Sequence, residues 1–150
     1  MTRLVFLLAI FVAGLPAIAG AAEVEPIYVV AGPTVAETRL TGAEVALIFR
    51  RKRNFWGNGQ RIQPVNLPVH SRLRRHFTQA LFGLTPEGMD EYWQERYFHG
   101  VLPPRVLASQ DAVMLFVAVT PGAIGYLSSC PTDSRLHVVF MAGAATACPK

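Results

Sequence analysis

The heptapeptide TPGAIGY, residues 120–126, lies where a helical pattern gives way to a strand pattern. Upstream of it, Ser109 is a candidate N-cap, and the residues that follow it are apolar at helical spacing. The Pro-Gly pair within the heptapeptide stops that helix, and the apolar residues 124–127 then predict a buried strand. Helices and strands joined by such short links are typical of α/β layer structures.

The same alternation extends outward in both directions. Thr41 and Glu44 have the spacing of a capping box, which predicts a helix running to about Arg50. Further helices are predicted to begin at Ser71 and Thr85. Strands are predicted at residues 27–30, 62–66, 105–107 and 136–141. We therefore expect one α/β domain, residues 23–150, with a mixed sheet flanked by helices.

The helix predicted after Thr85 contains three aromatic residues, Tyr92, Trp93 and Tyr97. Aromatic side chains on a helix are more often part of a hydrophobic core than of a ligand site. We therefore expect these three side chains to be buried.

The N-terminal segment has the pattern of a secretory signal peptide. Arg3 precedes an unbroken apolar stretch at residues 4–13, and small residues follow up to Ala22. We predict a signal peptide at residues 1–22 and a periplasmic mature chain, with an uncleaved anchor as the alternative. No later apolar run reaches transmembrane length, so no membrane span is expected after cleavage.

The chain contains two cysteines, Cys130 and Cys148. In an exported protein an even number of cysteines favours disulfide pairing, so these two are expected to be linked. Their spacing matches neither a CxxC motif nor a four-ligand metal set.

Charge is distributed unevenly in a chain of formal net charge +4. Residues 45–86 contain no Asp or Glu but hold seven arginines and one lysine. Such a block attracts anions if it forms one surface, or it is a solvated face balanced by carboxylates elsewhere. Nucleic acid is a poorer partner, because the chain is predicted to be exported and has only one short basic run.

Four stretches together resemble the substrate-binding proteins of phosphate ABC transporters, in particular their short, single-lobe relatives. Residues 40–49 resemble the helix that leads into the family's IFxGK motif, although Arg50, Arg51 and Lys52 replace the usual small-residue version. FWGNGQRIQPV at residues 55–65 and TPGAIGY at residues 120–126 are similar to two further motifs. The fourth stretch comprises YW at 92–93, FHG at 98–100 and PP at 103–104.

The resemblance implies the fold of type 2 periplasmic binding proteins, in which two lobes close over an anion. This chain has the length of about one lobe, the second, which supplies a phosphate-gripping helix N-terminus. The matching residues are Ser71, Arg72 and Leu73, while Asn66 stands where an arginine is expected and the family's Ser-Gly-Ser-Gly-Thr run is absent. Arg72, Arg74 or Arg75 would compensate by charge, or, as exposed helix arginines, they would face solvent instead. The expected partners are phosphate or a similar oxyanion, and an ABC permease or a second chain that supplies the other lobe.

Two functions therefore remain open at this point. One is an oxyanion-binding component related to phosphate transport, and the other is an envelope interaction or regulatory module that keeps the lobe. An enzyme is not expected, because the chain has no GxSxG, HExxH or Walker motif. No cofactor or metal is expected either, since the histidines are isolated or wrongly spaced for a shared helix face.

The export prediction is tested by N-terminal sequencing of protein recovered from the periplasm. The small-residue tract predicts a mature N-terminus between Gly20 and Glu25. Recovery of intact chains beginning at Met1 in the membrane fraction would instead support the uncleaved anchor.

Overall fold

The computed structural model describes residues 24–149, and the predicted signal peptide lies outside them. The strands are β1 (Ile27–Ala31), β2 (Gln63–Asn66), β3 (Arg105–Val106), β4 (Ala123–Leu127) and β5 (His137–Ala142). The helices are α1 (Gly42–Phe49), α2 (Arg72–Phe82), α3 (Asp90–Phe98) and α4 (Gln110–Val119), with a short 3-10 turn at Glu87–Met89.

The five strands form one mixed sheet in the order β3-β2-β4-β1-β5. Strand β2 runs parallel to β3 and β4, whereas β1 runs antiparallel to both β4 and β5. The predicted α/β architecture with a mixed sheet is thus confirmed. Because β2, β3 and β4 point the same way, their carboxyl ends meet at one edge of the sheet, where α2 and α4 begin.

Two glycines explain why the TPGAIGY heptapeptide decides the packing. Gly122 has φ +73°, and a Cβ there would collide with the backbone carbonyl of Arg61. Gly125 lies under α4, where a Cβ would come within 2.5 Å of Val113 Cγ1 and 3.0 Å of Val65 Cγ2. The first glycine makes the turn into β4, and the second lets α4 pack closely on β4.

The predicted helix starts are confirmed at three positions. Thr41 and Glu44 form the capping box, with the Thr41 amide donating to Glu44 Oε2 at 2.8 Å. Ser71 caps α2, and Ser109 caps α4. The third predicted helix begins differently: Thr85 Oγ1 accepts from the Gly88 amide, but the chain first forms the 3-10 turn and then continues as α3.

The prediction that the aromatic residues of α3 are buried is wrong. Tyr97 is 63% exposed, the neighbouring Phe98 is 86% exposed, and Tyr92 and Trp93 are only half-buried. The core between the sheet and the other helices is already filled by aliphatic and aromatic side chains. Helix α3 lies outside that core, attached through buried Met89 and through the Tyr92 hydroxyl, which donates to the Arg50 carbonyl at 2.6 Å.

The predicted disulfide is present. Cys130 and Cys148 are bonded, with their Cα atoms 5.6 Å apart. The bond ties the C-terminal segment to the loop that follows β4. A bridge that closes a loop of this length stabilises a fold by about 3 kcal/mol in the chain-entropy account.

Helix α1 ends in a Schellman motif with an arginine at the position that glycine usually occupies. The Arg51 amide donates to the Ile48 carbonyl at 2.9 Å, and the Lys52 amide donates to the Leu47 carbonyl at 2.8 Å. Arg51 itself has φ +58°, a left-handed conformation that costs a residue with a Cβ about 1 to 2 kcal/mol.

We expect Arg51→Gly to stabilise the fold by roughly 0.5 to 1 kcal/mol in urea unfolding. Removing the Cβ relieves the left-handed conformation, and the added flexibility of the unfolded chain offsets part of that gain. The matched control is Lys52→Gly, one residue further on and outside the left-handed positions, which should destabilise the protein. A lower stability for Arg51→Gly would contradict this account of the motif.

Candidate functional site

A polar cleft of about 580 Å³ lies at the carboxyl ends of β2 and β4, between the starts of α2 and α4. The loops that follow these strands and the N-termini of the two helices form its walls. Side-chain hydroxyls are concentrated here, from Ser71, Ser109, Ser128, Ser129 and Thr132. Open α/β sheets bind their ligands at this edge.

Two helix N-termini face the cleft. The Ser71 hydroxyl accepts from the Arg74 amide at 3.4 Å, and the Ser109 hydroxyl accepts from the Ala112 amide at 3.1 Å. Each cap therefore satisfies the third amide of its helix and leaves the first two without an acceptor inside the helix. The positive ends of both helix dipoles add to those amides, which makes the region favourable for an anion.

Of the predicted site residues, Ser71 lines the cleft, whereas Leu73 follows in the first turn of α2 and is not among the lining residues. The Ser71 amide already donates to the Pro68 carbonyl at 2.9 Å, so the amides of Arg72 and Leu73 are the donors that remain at this helix start. The Leu73 side chain is buried in the core. Of the four predicted site residues, Ser71 is thus the one that lines the cleft.

The other two predicted side chains point elsewhere. Arg72 has a side chain that is 83% exposed, with Nε 3.5 Å from Glu25 Oε2, and it is not among the residues that line the cleft. Asn66 is buried at the end of β2, and its Oδ1 accepts from the Tyr126 hydroxyl at 3.0 Å. Asn66 therefore supports the loop that borders the cleft, and the Arg72 guanidinium lies against Glu25 outside the cleft.

A buried hydrogen-bond network holds the loop from β2 to α2. The Tyr126 hydroxyl donates to Asn66 and accepts from the Leu67 amide at 3.2 Å. Arg74 reaches back from α2 and donates from Nη1 to the Leu67 carbonyl at 2.8 Å. Burial lowers the pKa of the Arg74 guanidinium and raises the pKa of Tyr126 to about 12. Arg74, one of the expected charge donors, is thus part of the support of the loop.

Carboxylates from outside residues 45–86 pair with three of the basic residues in that block. Arg53 lies 3.0 Å from Glu44 Oε1, and Arg75 lies 2.6 Å from Glu87 Oε1. The third pair is the one between Arg72 and Glu25. These contacts cancel part of the local field, as the solvated-face interpretation expects for three of the eight basic residues.

Asp111 gives the cleft a negative charge as well. It lies in the first turn of α4, is exposed, and lines the cleft beside the free amides. Its carboxylate stabilises the helix start but repels a second anion. Gln110 Oε1 accepts from the Ser128 amide at 2.7 Å and from the Ser128 hydroxyl at 3.0 Å, which fixes the start of α4 against the end of β4.

Reasoning from sequence missed the wall formed by α4 and by the loop after β4. Ser109 was identifiable as an N-cap, but nothing in the sequence placed it opposite Ser71. The hydroxyls of Ser128 and Ser129 directly follow a predicted buried strand, and this position at a strand's carboxyl end was the available signal. The sequence around Asp111 indicated only the ordinary preference for acidic residues in the first turn of a helix, and nothing that would place Asp111 at a cleft.

Within residues 24–149, no group of three or more His, Cys, Asp or Glu side chains is placed to hold a metal ion. In the same part of the chain, every helix is too short or too polar to cross a bilayer.

The Tyr126 network predicts a loss of stability at alkaline pH. Below about pH 10 the phenol is protonated in both the folded and the unfolded chain. Between about pH 10 and the folded pKa of about 12, only the unfolded chain loses the proton, so up to about 2 to 3 kcal/mol of stability is lost as the pH rises. Urea unfolding across this range measures the loss, and Tyr126→Phe should remove most of its pH dependence. An identical alkaline profile in the variant would contradict the assignment.

Solved structures share this fold. A protein assigned as a phosphate ABC transporter substrate-binding protein from Clostridium perfringens, solved with bound phosphate, superposes with a TM-score of 0.62 at 18% identity, over 78% of this chain and 46% of its own. An ABC-type phosphate transport receptor from Vibrio cholerae gives 0.60 at 20% identity, over 75% and 44%. A candidate phosphate-binding protein from Planctomyces limnophilus gives 0.56 at 17% identity, over 78% and 42%.

Neither a family model nor a curated protein matches the chain. The chain spans less than half the length of these three structures. At 17 to 20% sequence identity, this similarity establishes a shared fold and nothing beyond the fold. The described residues thus have the α/β fold found in part of the substrate-binding proteins of phosphate ABC transporters, as the sequence resemblance led us to expect.

Proposed function

We propose that this protein is a periplasmic binding component related to phosphate ABC transport, and that it binds an oxyanion such as phosphate in the cleft. The observation that supports this most directly is the convergence of two helix N-termini at the carboxyl ends of parallel strands. Hydroxyl groups from three separate segments surround the same space. The cleft therefore offers backbone and side-chain donors from two walls to one small anion.

The binding geometry rests on backbone amides more than on arginine side chains. The amides of Arg72 and Leu73 would bind one side of the oxyanion, and those of Gln110 and Asp111 the other. The hydroxyls of the cleft walls complete the donor set. Arg72 contributes through its field unless its guanidinium leaves Glu25 to contact the ligand.

Affinity is expected to be on the order of millimolar. The cleft is open to water on one side, so the ligand stays partly hydrated and charge-assisted bonds lose much of their strength. The Asp111 carboxylate opposes a fully ionised oxyanion. A second chain that supplies the other lobe, or an ABC permease, would exclude water and raise the affinity.

An envelope interaction module is the alternative. It is favoured by the exposed apolar side chains on and after α3, since Tyr97, Phe98 and Leu102 are each more than 60% exposed. Such a surface suits contact with another protein better than it suits phosphate. In this alternative the protein retains the fold of the lobe but does not bind an oxyanion specifically.

The test is calorimetry of phosphate and sulfate against the protein and two variants at one position. Arg72→Pro removes the first amide of α2 together with the side chain, and Arg72→Ala removes the side chain alone. Proline is tolerated at the first helical position, and Ser71 has ψ 128°, which suits a residue before proline. We expect Arg72→Pro to weaken phosphate binding about tenfold and Arg72→Ala only about twofold.

A third variant tests the opposite wall of the cleft. Asp111→Asn removes the repelling carboxylate, so phosphate binding should tighten severalfold, most clearly at low salt. The proposed function would be rejected, and the interaction module supported, if phosphate binding were undetectable at tens of millimolar and none of the three variants changed that result. Sub-micromolar binding by the isolated chain would contradict the open, one-sided cleft.

A further inference from the structure

A second pocket lies at the end of the sheet opposite to the cleft. It has a volume of about 150 Å³ and is formed at the amino ends of β2 and β3, beneath α4. Two arginines, Arg51 and Arg105, line it together with Gln63, whose side-chain Nε2 donates to the Pro121 carbonyl at 3.3 Å. The remaining walls are apolar and include Pro104 and Phe116.

Arg51 enters this pocket with part of its hydrogen-bonding capacity unused. Its Nη1 donates to the Ile62 carbonyl at 3.4 Å, a long contact, and its buried Nε has no hydrogen-bond partner. A buried donor without an acceptor is costly, and such groups in a folded protein call for an explanation. Because Nε is enclosed by protein atoms, a ligand in the pocket would reach this guanidinium at its terminal nitrogens, and the adjacent Nε–H would report that contact.

No carboxylate among the described residues lines the pocket. Neither Arg51 nor Arg105 takes part in the ion pairs found among residues 24–149. Burial, and then the neighbouring charge of Arg61, lower the pKa of Arg51, which is the direction expected for a cation without a counter-charge. An anion would therefore be stabilised by charges that nothing else in the pocket compensates.

The backbone at Arg51 points to the same conclusion. The left-handed C′ position of the α1 Schellman motif favours glycine, yet a long cationic side chain occupies it. The left-handed backbone of Arg51 directs its guanidinium to the pocket. Strained residues of this kind cluster at binding sites, so the conformation supports a binding role for Arg51.

The opposite wall presents a second guanidinium, which lies near an aromatic ring. Arg105 is exposed and has its Cζ 5.8 Å from the centre of the Phe116 ring. A guanidinium resting on an aromatic face keeps its N–H groups in the plane and available to an acceptor.

We propose that the pocket formed by Arg51, Gln63 and Arg105 binds a small carboxylate with a short apolar body. The planar carboxylate matches the fork of donors on a guanidinium, and the second guanidinium adds charge from the other side. The proline and phenylalanine walls accommodate the apolar body. The volume admits only a few non-hydrogen atoms beyond the carboxylate.

The side-chain Nε–H signals of Arg51 and Arg105, observed by ¹⁵N–¹H NMR of the full chain as the cell produces it, test this proposal. Butyrate and succinate are the probes, and inorganic phosphate is the comparison. We expect saturable shifts of both Nε signals with either carboxylate, at concentrations that leave the Leu73 backbone amide unchanged. Phosphate should shift the Nε signals at least fivefold more weakly.

Arg51→Gly removes the guanidinium from a variant that is expected to remain folded and at least as stable. It should lower carboxylate affinity tenfold or more, whereas Lys52→Gln, which removes a neighbouring positive charge outside the pocket, should change it less than twofold. Arg105→Gln should also weaken binding. Arg72→Pro should leave carboxylate binding intact, so failure at the cleft and failure here are distinguishable.

Three results would overturn the proposal. The first is linear, non-saturating shifts with both carboxylates, and the second is unchanged carboxylate affinity in Arg51→Gly. The third is stronger binding of phosphate than of butyrate at the Arg51 Nε, which would contradict the assigned ligand class.

Discussion

The Tyr126 hydroxyl is the contact on which the end of the molecule that carries the cleft depends. It joins Asn66 at the end of β2 to the first residue of the loop, Leu67, while the Tyr126 ring stacks on Phe77 of α2 with centroids 3.8 Å apart. One side chain thus connects two strands and the helix whose N-terminus faces the cleft. Because the hydroxyl is buried, loss of either partner would leave an unsatisfied polar group, so the arrangement is strongly constrained.

Close packing places the second wall. Gly125 allows α4 to approach β4, and the contact between Gln110 and Ser128 fixes the start of that helix against the end of the strand. The disulfide then holds the loop that carries Cys130. The two helix starts are consequently positioned by separate contacts, the buried Tyr126 network for α2, and close packing together with the Gln110–Ser128 hydrogen bonds for α4. Their convergence on one cleft is a property of the sheet topology.

The positive charges of this protein are distributed among separate sites and do not form one basic surface. Arginines that are adjacent in sequence have different environments: Arg72 is exposed beside Glu25, Arg74 is buried beneath the loop, and Arg75 pairs with Glu87. Arg51 and Arg105, more than fifty residues apart, line one pocket without a carboxylate. A basic stretch in sequence is therefore a poor guide to a basic surface, because the helical turn and the fold distribute its members among separate sites.

The sequence by itself determined the α/β alternation, the capping box at Thr41, the caps at Ser71 and Ser109, and the pairing of Cys130 with Cys148. These features depend on residues close in sequence or on the number of cysteines, so local chemistry suffices to predict them. Tertiary structure alone decided that Asn66 supports the loop that borders the cleft, that Asp111 lines the cleft, and that the aromatic residues of α3 remain outside the core. Each of these depends on which elements become neighbours across the sheet, a long-range packing outcome that spacing along the chain does not encode.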